Sequence, residues 1–404
     1  MAEPTSPHAA RVASEPSALT PAQERSLLST AASAAGGRLL SSQARSVHHR
    51  SGRSRSVVHE AVLAVDEQRL EVLLVTHVDL RGYPDGAFVL SAGDLAVAVW
   101  RFPLDPYLPG LASAVSSERV RQLLDELGAP PGEVTLRTRA YRPTRRAVVE
   151  VRVHGPVSGR VLYLKVLPPR RARSVARRHR QLTGAGLPVP GLVGLAEQQG
   201  IVAIEALGGP TIAEALRSGA PLPTTAALLD LSARFAASGV QGSRDPRAFA
   251  DPVRHVELLS ELLPARAEEI AELASCAADL DAPLVGVHGD LHPGQLLLGP
   301  DGAITGVLDV DGAGQGYLAH DAGNLIAHLA ATGELDPTIT AGAARYARQV
   351  QDAYAEVVGA DALARATAAS WLGLATSAHR AQEPTWRDQV GHRIDRAASV
   401  LGRR

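Results

Sequence analysis

Short apolar runs separated by turn residues fill much of the first half of the chain, whereas the second half is rich in Ala and Leu. Runs such as VVHEAVLAV and LEVLLVTHV form a first group, and EVTLRTRAY, AVVEVRVHG and GRVLYLKVL open a second group. From about Thr211 the spacing becomes helical, except at 286–310, where QLLLGP and AITGVLDVD predict a hairpin around Asp301–Gly302. This order predicts an α+β chain in which antiparallel strands precede a mainly helical part.

The change of pattern also divides the chain into segments. Residues 1–20 are rich in Pro, Ser and Ala and are expected to be disordered, and residues 21–130 are expected to form an α+β cap that begins with a helix. A small β lobe is predicted over 131–208 and a helical lobe over 209–404. HHRSGRSRSVV and AYRPTRRAVV share a basic turn before a strand, which indicates either a duplicated β subdomain or two unrelated turns.

Charge and cysteine content exclude several classes of protein. The 404-residue chain has a formal net charge of −1, so no overall field recruits nucleic acid or an anionic membrane. The sequence has no uninterrupted apolar run of about 18 residues, and we therefore expect no membrane span. The one cysteine, Cys276, allows neither an intrachain disulfide nor a cysteine-rich metal site, which is typical of a reducing cytoplasm. We expect a cytoplasmic protein that binds neither nucleic acid nor membrane.

Lys165 is the only lysine, since the remaining Lys-plus-Arg residues of the 41 in the chain are all arginine. Where either cation would serve, this chain uses arginine. A single lysine on a predicted strand therefore indicates a site that needs a compact ammonium group. The alternative is that one lysine persists by chance.

Polar residues surround the predicted hairpin. Asp290 lies just before it, in VHGDLHPGQLLL, and Gln295 begins its first strand. Asp309 and Asp311 follow its second strand, so the hairpin should bring these side chains to one end. Carboxylate and amide oxygens suit Mg²⁺, and with Lys165 they provide the parts for phosphoryl transfer, in which lysine binds phosphates and an aspartate orients the acceptor hydroxyl. The alternative for the aspartates is a capping or turn role.

The segments HGDLHPGQLLL and GVLDVDGAGQGYLAHDAGNLIAHL together resemble the signature of the aminoglycoside phosphotransferase and choline kinase-like superfamily, the small-molecule relatives of protein kinases. The resemblance covers about residues 130–404. It implies a bilobal protein kinase-like fold with an antiparallel β N-lobe and a mainly α C-lobe, here with the extra N-terminal cap. It also implies ATP and Mg²⁺ as cofactors and a small-molecule hydroxyl acceptor.

The resemblance also implies the roles of the catalytic residues. Asp290 matches the catalytic aspartate that orients and deprotonates the acceptor hydroxyl. Asp309 matches the metal-binding aspartate, with Gln295 and Asp311 as further candidate metal ligands. Lys165 matches the lysine that binds the nucleotide phosphates.

Two supporting segments are similar to those of the family. VAIEALGG resembles the hinge between the lobes, in which Glu205, Ala206 and Leu207 would offer their backbone to adenine. Asp321 matches a buried carboxylate that anchors the catalytic loop, and His288 is expected to support this loop rather than to move protons.

The chain departs from the family pattern at three places. Gln295 replaces the usual Asn and is one methylene longer. No Asp or Glu occurs from 166 to 196, so the helix after the lysine strand cannot supply the usual glutamate partner of Lys165. The turn YRPTRR has no glycine, so Arg142 becomes a candidate phosphate ligand, the alternative being a solvated basic turn.

These observations predict an ATP-dependent phosphotransferase that moves the γ-phosphate to a hydroxyl of a sugar or aminoglycoside-like acceptor. The missing glutamate and Gln295 leave open a nucleotide-binding pseudokinase with a regulatory role. VHGDLHPG also resembles the first motif of binuclear metallophosphoesterases, but the further Asp and His motifs of that class do not follow in the sequence.

Overall fold

The computed structural model describes residues 19–403 apart from 51, 129–131, 156–158, 242–250, 279 and 383. All but the last two positions of the predicted disordered tail therefore lie outside the described residues. The chain divides into two compact units, residues 1–102 and 103–404. Among the described residues, no helix combines the length and the apolar character needed to cross a membrane.

The first unit contains, in its described part, one helix and a five-stranded antiparallel sheet. Helix α1 (Pro21–Ala34) begins at Thr20, whose hydroxyl accepts a hydrogen bond from Gln23 N–H while the Gln23 side chain accepts one from Thr20 N–H. The core between helix and sheet includes Leu28, Leu63 and Val97. The predicted helix and meander are confirmed, with strands β1 (Gly37–Arg50), β2 (Ser54–Val65), β3 (Gln68–Asp79), β4 (Val89–Ala92) and β5 (Leu95–Arg101) paired in the order β1-β2-β3-β5-β4.

The second unit begins with two short helices and a second antiparallel sheet, also five-stranded within the described ranges. The sheet pairs in the order β6-β7-β8-β10-β9, so its five strands follow the same order as those of the first sheet. A shared order is what duplication of a β subdomain predicts, and it favours that interpretation of the two basic turns. The elements are α2 (Leu111–Ala114), α3 (Ser117–Glu126), β6 (Glu133–Arg142), β7 (Arg146–His154), β8 (Arg160–Val166), α4 (Pro169–Gly184), β9 (Leu192–Ala196) and β10 (Ile201–Glu205).

The segment that carries α2 and α3 belongs to the second unit, whereas the sequence pattern placed the end of the cap near residue 130. The reason is local packing on the second sheet. The Asp105 carboxylate accepts hydrogen bonds from the Tyr141 hydroxyl at 2.9 Å and from Thr144 N–H at 2.8 Å. Leu127 lies so close to Gly194 of β9 that a Cβ there would lie 2.5 Å from the leucine side chain. The first compact unit therefore ends before these helices.

The remainder of the second unit is mainly helical, as predicted, and completes a bilobal α+β fold. Two short strand pairs interrupt the helices, and one of them, β12 with β13, is the predicted hairpin. The other pair is β11 with β14. The helices are α5 (Ile212–Ser218), α6 (Thr225–Ala237), α7 (Val256–Leu262), α8 (Ala267–Ala278), α9 (Leu318–Leu335), α10 (Thr340–Val358), α11 (Ala360–Ala381) and α12 (Trp386–Val400), and the strands are β11 (Val285–Val287), β12 (Leu296–Leu298), β13 (Ile304–Val307) and β14 (Gly314–Gly316).

The hairpin is held inside the main core of the helical lobe. Leu296, Leu298 and Val307 are fully or almost fully buried and pack with residues of α6 and α9, such as Leu231 and Leu325. Apolar burial of this kind fixes the hairpin firmly, at about 1.5–3 kcal/mol for each large side chain. The polar residues at the hairpin's end therefore sit on a rigid support, which explains why they adjoin so apolar a stretch.

Candidate active site

Lys165 lies on a central strand of the second sheet, where it pairs with Val148 of β7 and Val202 of β10. Its side chain reaches the loop after the hairpin. The Nζ atom lies 2.6 Å from Oδ1 of Asp311 and 3.3 Å from Oδ1 of Asp309. Lys165 and Asp311 are 7% and 5% exposed, so this is a buried ion pair. The structure thus brings together three of the predicted site residues.

Asp309 is held in place by its backbone and by two cations. Its backbone is left-handed, with φ 53° and ψ 46°, a conformation that Asp tolerates better than most residues. Arg146 of β7 donates from Nη1 to Oδ2 of Asp309 at 3.1 Å. Burial opposes ionisation of the Asp309 carboxyl, but Lys165 and Arg146 outweigh it and hold its pKa well below its usual range. Asp309 is therefore a carboxylate at neutral pH.

The loop that carries Asp290 is anchored from behind by Asp321. The buried Asp321 carboxylate accepts hydrogen bonds from His288 N–H at 2.7 Å and Gly289 N–H at 2.9 Å, which confirms its expected anchoring role. Gly289 has φ +83°, and a Cβ there would lie 2.6 Å from the carbonyl oxygen of Gly312. Only glycine fits this approach, and it brings the Asp290 loop against the turn that follows Asp309.

His288 joins the same two loops. Its Nδ1 accepts from Asp290 N–H at 3.2 Å, so in the neutral ring its Nε2 carries the proton and donates to the carbonyl of Leu308 at 2.8 Å. Both ring nitrogens are therefore used within the protein. This geometry matches the predicted supporting role.

Asn324 is a site residue that the sequence reasoning missed. Its Nδ2 donates to Oδ1 of Asp290 at 3.3 Å and to the carbonyl of Leu291 at 3.0 Å. Asn324 follows Asp321 by three residues on α9, and residues with this spacing share a helix face. The spacing in HDAGNL was the signal that could have identified it.

Gln295 is buried and contacts His292 rather than the carboxylate pair. The Nε2 atoms of the two side chains lie 3.0 Å apart, and Nδ1 of His292 accepts from Gly294 N–H. Burial lowers the pKa of His292, so the ring is neutral and its proton resides on Nε2. For His292 Nε2–H to donate to Gln295, the amide oxygen of Gln295 must face His292. This orientation only exchanges the oxygen and nitrogen of the amide group and leaves all other atoms in place. The oxygen keeps a second lone pair.

The turn at 142–146 takes its shape from Asp105 instead of glycine. Asp105 binds Thr144 N–H, and Thr144 itself has φ +62°. Arg142 stands at the start of this turn. Burial lowers its pKa to about 10, with Arg380 and Arg146 adding to this effect. The charges of Asp309 and Asp290 oppose it, so Arg142 lies within electrostatic range of the site.

A cavity of about 550 Å³ adjoins the predicted hinge. The N–H groups of Glu205 and Ala206 are already bonded, to the carbonyls of Gly191 and Val161. The N–H of Leu207 forms no hydrogen bond with the described residues. The cavity is lined by hinge residues and by β-strand residues of the same lobe: Arg139, Glu150, Arg152, Gly159, Arg160, Val161, Tyr163, Glu205, Ala206, Leu207 and Gly208.

Tyr163 connects this cavity with the ion-pair cluster. It precedes Lys165 by two residues on β8, so both side chains lie on one face of the sheet, about 7 Å apart along the strand. Its hydroxyl lies 3.5 Å from Glu150, which also binds the Nε atoms of Arg139 at 2.6 Å and Arg152 at 2.8 Å. An aromatic ring in a polar cavity beside the single lysine offers a stacking surface for a base.

The carboxylates fit a hard cation. Oδ2 of Asp311 is buried and has no hydrogen-bond partner, while its Oδ1 binds Lys165. Arg146 Nη1 lies 3.9 Å from this oxygen, too far for a hydrogen bond. A carboxylate oxygen that accepts no hydrogen bond, beside a second carboxylate, Asp309, is the donor chemistry that Mg²⁺ prefers. Among the described residues, no group of three or more His, Cys, Asp or Glu side chains could hold a metal ion.

A model of the phosphotransferase enzyme family matches residues 150–367, a range that contains Lys165, Asp290, Asp309 and Asp311. No curated protein matches the sequence significantly.

Solved structures match the chain at low identity. A glucosamine kinase in complex with glucosamine, ADP and inorganic phosphate is 21% identical, with 89% of this chain and 93% of that chain covered and a TM-score of 0.42. A choline/ethanolamine kinase family protein from Mesorhizobium loti is 16% identical, covering 70% and 94%, with a TM-score of 0.46. The GDP complex of aminoglycoside 2'-phosphotransferase-IIIa is 13% identical, covering 70% and 98%, with a TM-score of 0.44.

Proposed function

This chain belongs to the phosphotransferase enzyme family, and we propose that it transfers the γ-phosphate of ATP to a hydroxyl group of a small-molecule acceptor. One observation carries the proposal. The only lysine of the chain meets two carboxylates, Asp309 and Asp311, on a loop packed against the loop of Asp290. Phosphoryl transfer needs this combination of a phosphate-binding cation, metal-binding carboxylates and a hydroxyl-orienting aspartate.

The nucleotide would bind along the face of the second sheet. The cavity at the hinge would take the base, with Leu207 N–H as donor and the ring of Tyr163 as stacking surface. Lys165, two residues further along the strand, would bind the phosphates, and Arg142 and Arg146 would add charge from the neighbouring turn. The spacing along β8 supports this arrangement, because base and phosphates of one nucleotide must be reached from one strand face.

Asp309 and Asp311 would hold Mg²⁺, and the amide oxygen of Gln295 would be a weaker third ligand because it also accepts from His292. When bound, the ion neutralises charge on the transferring phosphate and aligns it with the acceptor. The buried Oδ2 of Asp311, which accepts no hydrogen bond, supports this assignment.

Asp290 would accept the proton of the acceptor hydroxyl. Asn324 donates to one of its oxygens at 3.3 Å, which keeps the carboxylate oriented while a second oxygen faces the acceptor. Asp321 and His288 hold the loop, so the carboxylate is placed before the substrate arrives.

A neutral or anionic sugar is favoured over an aminoglycoside as the acceptor. Burial lowers the pKa of Arg142, Arg254 and Arg380, and the charge of Asp290 raises it in each case, so three guanidinium groups lie within electrostatic range of this carboxylate. These three positive charges repel a polycationic aminoglycoside.

The cytoplasmic location inferred from the single cysteine stays a prediction.

The test combines nucleotide binding with turnover. Mg·ATP should raise the Tm of the wild-type protein but not that of Lys165→Ala. In an acceptor panel of neutral sugars, anionic sugars and aminoglycosides, a sugar should give turnover. Asp290→Asn should lower kcat at least about 100-fold while Mg·ATP still raises its Tm. Unchanged turnover in Asp290→Asn would remove the catalytic assignment, and nucleotide binding without turnover on any acceptor would favour the pseudokinase alternative.

A further inference from the structure

Helix α4 occupies the place from which a glutamate would reach Lys165, but its buried face carries Arg178 and His179 instead. The helix packs against β9, β10 and the turn Val310–Gly312. No Asp or Glu occurs anywhere in the helix. The carboxylate that Lys165 needs comes from the turn instead, as Asp311.

Arg178 binds that turn through its main chain. Its Nη1 donates to the carbonyl oxygen of Asp311 at 2.8 Å. Arg178 is only 6% exposed, and it forms no ion pair within 4.0 Å in the described part of the chain. Its Nε is buried without a hydrogen-bond partner. Burial lowers the pKa of the Arg178 guanidinium, and the negative charge of Asp311 opposes this, so the cost of burying Arg178 is offset chiefly at Asp311.

We propose that Arg178 is a positioning residue that sets Asp311 and, through Asp311, orients Lys165. The hydrogen bond from Arg178 points the carbonyl of Asp311 toward α4. The side chain of the same residue is then directed at the lysine, 2.6 Å away. An arginine that binds the main chain of the turn Val310–Gly312 thus takes the place of a helix glutamate that would bind the lysine directly. This inference rests on the proposed function, because orienting Lys165 matters for phosphate binding.

The single lysine allows a test that does not depend on activity. An amine-acylating reagent can modify one side chain only, Lys165, and peptide mapping separates it from the N-terminal amine. Acylation blocks tryptic cleavage at 165, so the label appears in the peptide 161–170. Arg178→Met should increase the rate of Lys165 acylation several-fold, because the ammonium is held less firmly by Asp311. Arg178→Lys should restore slow labelling of Lys165 in part, since lysine can donate to the same carbonyl; the lysine introduced at 178 lies outside the peptide 161–170, so its own label is read separately.

Arg365→Met is the matched control. Arg365 of α11 also donates from Nη1 to a main-chain carbonyl at 2.8 Å, that of Cys276 of α8. Neither helix carries Lys165 or Arg178. Its replacement should leave the acylation rate of Lys165 unchanged even if the Tm falls.

Kinetics provide the second measurement. Arg178→Met should lower kcat about 10- to 100-fold while the KM for the acceptor stays the same, because Arg178 acts on the lysine and not on Asp290. Equal acylation of Lys165 in wild type and Arg178→Met would overturn the inference, whatever the Tm. If the wild type transfers no phosphate to any acceptor but Arg178→Met still speeds acylation, the proposed function fails and the positioning of Lys165 by Arg178 stands.

Discussion

Replacing Lys165 by methionine should destabilise the second unit more than replacing Lys165 and Asp311 together. The two side chains are 7% and 5% exposed and 2.6 Å apart. Lys165→Met keeps the apolar length of the side chain but leaves the Asp311 carboxylate buried. Its nearest remaining cation is then Arg146, at 3.9 Å. Loss of one partner from a buried ion pair costs about 3–5 kcal/mol, because the charge that remains stays out of water.

We expect the lower end of this range, about 3 kcal/mol, because Arg146 can still approach the carboxylates. The second unit has about 300 residues, and an unfolding entropy of about 2.1 cal/mol/K per residue converts this cost into a Tm lowered by about 5 °C. The double variant Lys165→Met with Asp311→Asn has no uncompensated charge at this position. Its Tm should therefore fall by less than half as much.

Tryptophan fluorescence during heating can follow the second unit alone. Trp371 and Trp386 lie in this unit, so Trp100→Phe supplies a background in which their signal dominates. Arg121→Met is the control. Arg121 pairs with Glu133 at 2.9 Å on the surface, and loss of this exposed pair should lower the free energy of unfolding by less than about 1 kcal/mol. A Lys165→Met protein as stable as wild type, or a double variant no more stable than the single one, would mean that the buried pair does not form in solution.

Three further outcomes follow from the structure. Tyr163→Ala should weaken nucleotide binding by roughly 10-fold in a fluorescent-nucleotide titration, whereas Tyr163→Phe keeps the ring and should bind as wild type; equal loss in both would exclude stacking. Gln295→Ala should raise the Mg²⁺ concentration for half-maximal activity roughly 10-fold, and an unchanged requirement would remove Gln295 from the metal site. Burial lowers the pKa of His59 and His77 from the ordinary 6.5 to about 4 in the folded first unit. The unfolded chain therefore takes up protons first, and stability should fall as pH drops from about 6.5 to about 4. His77→Gln should flatten the Tm-against-pH curve measured by near-UV circular dichroism, and the exposed His154→Gln should not.

Features that depend on neighbours in the sequence could be predicted. The hairpin followed from two apolar runs around Asp301–Gly302, and it placed Asp309 near the loop of Asp290 without any tertiary information. The anchoring role of Asp321 came from the family resemblance, and the hydrogen bonds to His288 and Gly289 bear it out. Periodicity and turn residues suffice for the hairpin, because a short stretch of chain fixes its geometry, whereas Asp321 lies 33 residues from His288 and could be identified only through the resemblance.

Features that depend on contacts between distant segments could not be predicted. Lys165 and Asp311 are 146 residues apart, and Arg146 and Asp309 are 163 apart. Which carboxylate meets the lysine depends on how the sheet lobe sits on the hairpin loop, and no local pattern encodes that. The end of the cap could not be predicted for the same reason, because the sequences of α2 and α3 give the same helical pattern whichever sheet the helices pack against. The hydrogen bonds of Asp105 and the packing of Leu127 against Gly194 assign them to the second sheet.

The absence of a glutamate from α4 looked in the sequence like a defect in the phosphate site, and the structure gives a physical reason to regard it otherwise. Asp311 has two oxygens in different surroundings: Oδ1 binds Lys165, and Oδ2 is buried without a hydrogen-bond partner. One carboxylate can therefore hold the lysine with one oxygen and offer the other to a cation. Here a single turn carries both oxygens, and Arg178 is the contact that ties this turn to the helix.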